Sequence, residues 1–215
     1  MEIHLPPRTL YEEGRLYTLN AAPGWRLPGQ TVVVREGMEY RSWNPYRSKV
    51  AAYILCGGLN TGFADVRRIL YLGGSYGTTV SHLADVAPTS TIYAVELFSE
   101  PLRSLQKIAL TYPNIVPVMG DASSPEGYAQ LVEEPEFLIQ DIAQRDQLGI
   151  LLRNMEAFRS LRSFIFFLKT ASVDSTRPAG EVVAEAEKTL GRRFSPLERV
   201  DIGRYERGHF ALSSF

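Results

Sequence analysis

Between residues 68 and 168 the chain repeats one pattern: a short, almost wholly apolar run, a stretch of helical periodicity, then another apolar run. The runs are Arg68 to Leu72, Thr91 to Val95, Ile115 to Met119, Glu136 to Gln140 and Ser163 to Leu168. Helices are predicted over Thr78 to Val86, Glu100 to Tyr112, about 125 to 132 and about 146 to 159. Strands without a polar face must be covered on both sides, and strands joined through helices run parallel. The pattern therefore predicts an α/β fold whose parallel sheet is buried on both faces. A further helix over Glu181 to Leu190 precedes two strand-like runs, Phe194 to Val200 and His209 to Phe215. No helix fits between these two, so they are expected to form an antiparallel hairpin on the sheet.

Upstream the pattern changes. From about residue 8 to 43 it is short and β-like, with runs at Gly14 to Leu19, Gln30 to Arg35 and Met38 to Trp43, punctuated by Pro23-Gly24 and Pro28-Gly29. This small antiparallel sheet is too short to hold a core of its own and is expected to pack on the α/β segment downstream of it. Ser48 then caps a helix that starts at Lys49 and is ended by Gly57-Gly58. On this reading residues 1–47 are a small β domain and residues 48–215 the main domain.

Composition excludes several classes. A length of 215 residues with 45% hydrophobic content suffices for one ordinary core plus a small appendage. The formal charge of −1 lacks the basic excess of a protein that grips nucleic acid unaided, although arginines cluster locally at Arg67-Arg68, Arg159 with Arg162, Arg192-Arg193, and Arg199, Arg204 and Arg207. The single cysteine, Cys56, rules out an internal disulfide and a cysteine-cluster zinc site, and reads as a small buried helix residue. No clustered His/Cys ligand set is visible, so no metal is expected. No segment reaches the ~20 apolar residues of a membrane span, and the N-terminus lacks a signal-peptide pattern, so a cytosolic location is expected.

Ligands of open parallel sheets gather outside the carboxyl ends of the strands. After the first main-domain strand comes Tyr71-Leu-Gly-Gly-Ser-Tyr-Gly-Thr-Thr, a glycine-rich turn opening a helix, where the backbone approaches a ligand and free N–H groups donate to it. It matches neither the dinucleotide fingerprint nor a P-loop. After the second strand comes Glu96, 23 residues beyond Gly73 and placed for ribose hydroxyls. Gly120-Asp121-Ala122 follow the third strand, Asp141-Ile-Ala-Gln144 the fourth and Lys169 the fifth. Acids at strand ends also serve as helix caps, but three acids and a lysine at four successive strand ends on one rim point to a site. A carboxylate-rich rim repels pyrophosphate and tolerates a sulfonium, which favours S-adenosylmethionine.

These segments, with Arg41-Ser-Trp-Asn-Pro-Tyr-Arg-Ser-Lys-Val-Ala-Ala, Tyr93-Ala-Val-Glu and Lys169 through Asp174, resemble archaeal fibrillarin over about residues 40 to 209. The resemblance implies a Rossmann-like S-adenosylmethionine-dependent methyltransferase with a small N-terminal β domain, acting as a ribose 2′-O-methyltransferase on rRNA and tRNA in a cell without a nucleus. It implies as partners a Nop-domain scaffold protein, a kink-turn-binding ribosomal-protein-like subunit and a box C/D guide RNA. Gly73, Thr78, Thr79, Glu96, Leu97, Asp121, Ala122, Asp141 and Gln144 would contact the cofactor. Lys49, Asp141, Lys169 and His209 would form a catalytic tetrad. A ribose hydroxyl must be held in line with the sulfonium bond while losing its proton. A lysine takes that proton only when neutral, which requires desolvation or neighbouring positive charge. Lys49 and the sulfonium would supply such charge near Lys169, Asp141 would oppose it, and Lys169 is the expected base with Asp141 as its orienting partner.

The chain departs from the family pattern at four places. Ser75-Tyr76 replaces a small pair, so that a ring would enter the cofactor turn. Leu97-Phe98 follows Glu96 where an aromatic residue is usual, Gly208 stands where aspartate commonly precedes the histidine, and Arg159-Ser-Leu-Arg replaces glycines. These motivate a second reading, a methyltransferase-fold assembly subunit with weakened or lost activity. A small-molecule O-methyltransferase is a third, disfavoured by the lack of a lid or metal site.

Overall fold

A computed structural model describes residues 2–215. Its N-terminal strands β1 (Thr9–Glu12), β2 (Arg15–Leu19), β3 (Val32–Arg35) and β4 (Met38–Ser42) form an antiparallel sheet in the order β1-β2-β4-β3. The second sheet has seven strands, β5 (Arg68–Leu72), β6 (Thr91–Glu96), β7 (Ile115–Met119), β8 (Phe137–Gln140), β9 (Ser163–Lys169), β10 (Leu197–Asp201) and β11 (His209–Ser214). Their order is β10-β11-β9-β8-β5-β6-β7, parallel from β9 to β7, while β11 runs antiparallel to both β9 and β10. The expected parallel sheet and closing hairpin are both present.

Among the described residues six α-helices accompany the strands: α1 (Lys49–Leu55), α2 (Thr78–Val86), α3 (Ser99–Ala109), α4 (Gln147–Ala157), the short α5 (Thr170–Val173) and α6 (Ala179–Leu190). One face of the main sheet buries Ile69, Ile139, Ile165, Phe167 and Ala211 against α1, α2 and α3. The other buries Leu70, Leu138, Phe164 and Phe166 against α4 and α6. This is the three-layer solution that the apolar strands demanded. The expected helix near 125 to 132 is instead two 3-10 turns, Pro125–Gly127 and Ala129–Leu131, with a glycine, a poor helix former, in the interior of the segment. Cys56 is the partly exposed C-cap of α1, not a buried helix residue. Among the described residues no helix is long and apolar enough to cross a membrane.

The N-terminal sheet packs on α2 through a buried polar network. Arg41 Nε donates to Asp85 Oδ2 at 2.6 Å, and both side chains are fully buried. The same oxygen accepts from Thr18 Oγ1 at 2.6 Å, and Asp85 Oδ1 accepts from the Ala21 N–H at 2.9 Å. Gln30 Oε1 already accepts from the Leu27 N–H, so its Nε2 must donate to His82 Nε2 at 2.8 Å. His82 is therefore the tautomer protonated on Nδ1, donating to Thr18 Oγ1, which donates onward to Asp85. Leu16 and Trp43 join the core beneath α1, and Trp43 stacks on the His82 ring at 5.0 Å.

Candidate active site

The carboxyl ends of β5, β6 and β8 fall in one row, because Leu72 is in register with Val95 on one side and Gln140 on the other. The residues one step past this row, Gly73, Glu96 and Asp141, are thus neighbours on the rim. From β5 the chain builds outward through β6 and β7, then returns to build through β8 and β9 on the other side. The switch point between β5 and β8 opens a crevice, where ligands of such sheets bind. Gly73 has φ +90°, and a Cβ there would lie 2.1 Å from the Asp141 carbonyl oxygen. Glycine alone satisfies both the backbone conformation and the gap.

Glu96 is buried on this rim. Its Oε2 accepts from the Ser75 N–H at 2.8 Å and its Oε1 from the Phe98 N–H at 2.9 Å. Each carboxylate oxygen retains a lone pair after that. Glu96 therefore shapes the glycine turn and still offers acceptors to a ribose diol. With Gly73, Leu97, Ala122, Asp141 and Gln144 it lines a cleft of about 420 Å³, a size that suits a nucleoside-like ligand. Phe98, Pro101 and Ile142 add apolar wall suited to an adenine ring. Pro101 and Ile142 carry no signal in the sequence, because an isolated apolar residue beyond a strand resembles any core residue, whereas Phe98 stands next to the position where the family has an aromatic residue. No lysine or arginine lines the cleft, so it accommodates a cation and disfavours a pyrophosphate. The donor set fits S-adenosylmethionine.

Three expected cofactor residues are not themselves in the lining of this cleft, although Asp121 lies between Gly120 and Ala122, which are. The Thr79 hydroxyl is buried at the start of α2 and donates to Ser48 Oγ at 3.1 Å, Thr78 lines a neighbouring groove, and Asp121 Oδ1 accepts from the Ser123 N–H at 2.8 Å. The start of α2 meets the cap of α1 there, which engages the Thr79 hydroxyl. Tyr76 also departs from expectation. Ser75 takes φ +46°, and the Tyr76 ring lies outside the cleft, half exposed in that neighbouring groove, with its hydroxyl 3.4 Å from Glu100 Oε1. Gly208 takes φ +72°. Aspartate is among the few other residues that tolerate that conformation, so the turn before His209 keeps its shape with either residue.

Strand alternation assembles the four expected catalytic residues. Ile139, Ile165, Phe167 and Ala211 face the α1 side of the sheet, so the period of two puts Asp141, Lys169 and His209 on that side as well. Lys49 enters from the first residue of α1, which Ser48 caps while Ser48 Oγ also receives the Trp43 indole N–H at 2.8 Å. Lys49 Nζ donates to Asp141 Oδ1 at 2.6 Å, with both side chains about four-fifths buried. His209 is the register partner of Lys169 across the β9–β11 ladder. Burial pushes the His209 imidazole below its ordinary value; its hydrogen bond to the Arg207 carbonyl opposes this, and the Lys49 cation reinforces it. At neutral pH the ring is uncharged, with Nδ1–H directed at the Arg207 carbonyl 3.1 Å away and Nε2 left to accept.

Two supporting side chains hold this arrangement. The buried Gln147 amide clamps the Lys169 backbone in both directions, donating to its carbonyl at 3.0 Å and accepting from its N–H at 2.9 Å. Below Asp141, Tyr71 reaches toward Oδ2 at 3.5 Å. Burial, aided by the Asp141 charge, raises that phenol well above its ordinary value, so it stays protonated and faces the carboxylate as a donor. Lys169 makes no ion pair among the described residues, while Asp141 is already neutralised by Lys49.

A crevice at the switch point of this sheet, acid-lined for a cationic nucleoside and bordered by an amine–carboxylate cluster, defines a Rossmann-like S-adenosylmethionine-dependent methyltransferase. A family model described as Fibrillarin matches residues 8–214. The chain is 38% identical over 208 residues to the fibrillarin-like rRNA/tRNA 2′-O-methyltransferase of Methanopyrus kandleri, covering 94% of this chain and 90% of that relative. It superposes on fibrillarin in a fibrillarin/Nop5p complex with TM-score 0.87 at 34% identity, covering 98% of each chain. The Aeropyrum pernix fibrillarin with natively bound S-adenosyl-L-methionine superposes with TM-score 0.82 at 37% identity, covering 94% of this chain and 89% of that one. The chain belongs to the fibrillarin family.

Proposed function

We propose that this protein methylates ribose 2′-hydroxyls of rRNA and tRNA from S-adenosylmethionine, in a particle with a Nop-domain scaffold, a kink-turn-binding subunit and a box C/D guide RNA. The observation that carries the reading is the Lys49–Asp141 pair at 2.6 Å beside Lys169 and His209, at the mouth of an acid-lined cofactor cleft. Support for the scaffold comes from the superposition on fibrillarin in complex with Nop5p. The near-neutral net charge of −1 supports a division of labour in which partners and guide pairing supply RNA affinity.

Bound S-adenosylmethionine supplies a methyl group made electrophilic by its sulfonium. Glu96 holds the ribose of that cofactor by accepting from its hydroxyls, and the wall of Leu97, Phe98, Pro101 and Ile142 receives the adenine. The target 2′-oxygen forms a bond to the methyl carbon as the carbon–sulfur bond breaks, and the hydroxyl proton must leave. Lys169 Nζ takes it. Asp141 orients the hydroxyl and is itself fixed by Lys49, while neutral His209 offers Nε2 as a further acceptor. Holding both reactants in line is a major part of the rate gain.

The test is reconstitution with scaffold, kink-turn protein and guide RNA, followed by mapping of 2′-O-methyl groups. One guide-specified ribose should be methylated, and a 2′-deoxy nucleotide at that position should abolish the product. Methylation of a base, or product formed equally without guide, would overturn the reading.

A further inference from the structure

Lys169 occupies a point where one element stops and another begins. It is the last residue of β9 and the N-cap of α5, with φ −92° and ψ 99°. Its side chain makes no ion pair among the described residues, so the amine is placed through the backbone that carries it. On one flank β11 runs antiparallel, with Lys169 opposite His209. The next residue, Thr170, gives its N–H to the Gly208 carbonyl at 3.1 Å. Bonded and non-bonded pairs alternate along an antiparallel ladder, so Lys169 and His209 are a non-bonded pair. The Lys169 N–H and C=O therefore point away from β11, toward β8. No strand meets them there, because β8 ends at Gln140, which is in register with Phe166.

Gln147 fills that gap. Its side-chain amide donates to the Lys169 carbonyl at 3.0 Å and accepts from the Lys169 N–H at 2.9 Å, in place of the bonds a longer β8 would have made. Gln147 is itself fixed twice. It opens α4, whose cap Asp146 accepts from the Gly149 N–H at 3.2 Å, and its carbonyl accepts from Gln140 Nε2 at 2.7 Å. Both glutamines are fully buried, and Gln140 Oε1 has no partner among the described residues. Leucine at position 140 would avoid that cost, so the pair is explained better by geometry than by stability. Between the two glutamines lie Asp141, Ile142, Ala143 and Gln144, all in the lining of the cofactor cleft. We infer that Gln147 is a positioning residue for methyl transfer, which fixes the Lys169 backbone and ties the proton acceptor to the loop that holds the cofactor. This role rests on the proposed function and deepens it. With both backbone groups of Lys169 held, the direction of its Cα–Cβ bond is set before the side chain reaches the target hydroxyl.

The test is single-turnover methylation in the assembled particle, with Gln147→Leu and Gln147→Glu set beside the wild type. Leucine stays buried and removes both bonds. The rate should fall roughly 100-fold, as expected when a reacting group is displaced by about 1 Å, while S-adenosylmethionine affinity and KM for target RNA stay within about twofold. A protonated glutamate donates and accepts as the amide does, whereas its carboxylate can only accept and opposes the Lys169 carbonyl. Burial favours the protonated form, so the rate of Gln147→Glu relative to wild type should climb as pH falls from about 8 to about 6. The corresponding ratio for Gln147→Leu should stay level. A Gln147→Leu rate within about threefold of wild type overturns the role. Equal losses of rate and cofactor affinity also overturn it, and make Gln147 a support of the cleft alone. Should Gln147→Leu fail to fold, a level ratio for Gln147→Glu overturns it independently. A wild type that methylates no ribose removes the proposed function, whereas variants that match an active wild type remove only this role.

Discussion

Replacing Asp85 by asparagine tests whether one buried charge pair locks the N-terminal sheet to the main sheet. Arg41 and Asp85 are both fully buried at 2.6 Å, and Oδ2 also receives the Thr18 hydroxyl while Oδ1 receives the Ala21 N–H. Asparagine keeps an acceptor at one position only, so either the Ala21 N–H or both Arg41 and Thr18 face an amide NH₂, and the guanidinium loses its counter-charge. Its Nη2 is already a buried donor without a partner, and the rings of Trp25 and Tyr112, 5.2 and 5.5 Å from Cζ, supply only part of the compensation. Breaking a buried pair in this way costs about 3–5 kcal/mol. For a chain of this size each kcal/mol moves Tm by about 2–4 °C, so a fall of about 6–20 °C is expected in calorimetry. Arg41→Leu combined with Asp85→Leu should lose less than the two single variants summed, since neither charge is then left alone. A shift below about 2 °C for Asp85→Asn, or strict additivity of the leucine variants, would refute the reasoning.

The same geometry fixes three further outcomes. Gly73→Ala places a methyl 2.1 Å from the Asp141 carbonyl oxygen at φ +90°, so a folded sample should show no measurable S-adenosylmethionine binding; retained affinity would move the cofactor away from this crevice. Glu96→Gln exchanges a charged acceptor for a neutral one, worth about 1.5–3 kcal/mol, and calorimetry should show roughly 10- to 150-fold weaker cofactor binding; an unchanged Kd would take Glu96 out of the site. Burial, helped by the Arg41 cation, holds His82 well below its ordinary value, so below about pH 6.5 the unfolded chain binds a proton that the folded chain refuses. Stability should therefore fall as pH drops, by up to about 1.4 kcal/mol per unit more in the wild type than in His82→Asn; chemical denaturation with parallel slopes for the two proteins would count against a neutral buried imidazole.

The sheet was legible because apolar strands without a polar face admit few alternatives, and the positions of Gly73, Glu96, Asp141 and Lys169 followed from the rule that ligands collect at strand ends. Side-chain direction was not legible. Thr79 turns to Ser48 and Tyr76 turns outward because of how α2 leans on α1 and how Ser75 bends the chain, contacts separated by long stretches of sequence. The short strand β1 carries only four residues, three of them half-buried, which gives no clear alternation to read. His82 and Asp85 look like ordinary helix residues in the sequence; their partners Thr18, Gln30 and Arg41 are some 40 to 67 positions away. The shared face of Asp141, Lys169 and His209 follows from strand parity, but only once the register of β11 on β9 is known.

The division between cofactor binding and proton removal is tested most directly by single-turnover methylation in the reconstituted particle, with Lys169→Ala set beside calorimetry of the same variant with S-adenosylmethionine. A positioned general base contributes about 10²- to 10⁴-fold, so the account predicts a rate at least about 100-fold below wild type, with cofactor affinity unchanged within about twofold. A variant that methylates at the wild-type rate would contradict it and pass the proton to Asp141.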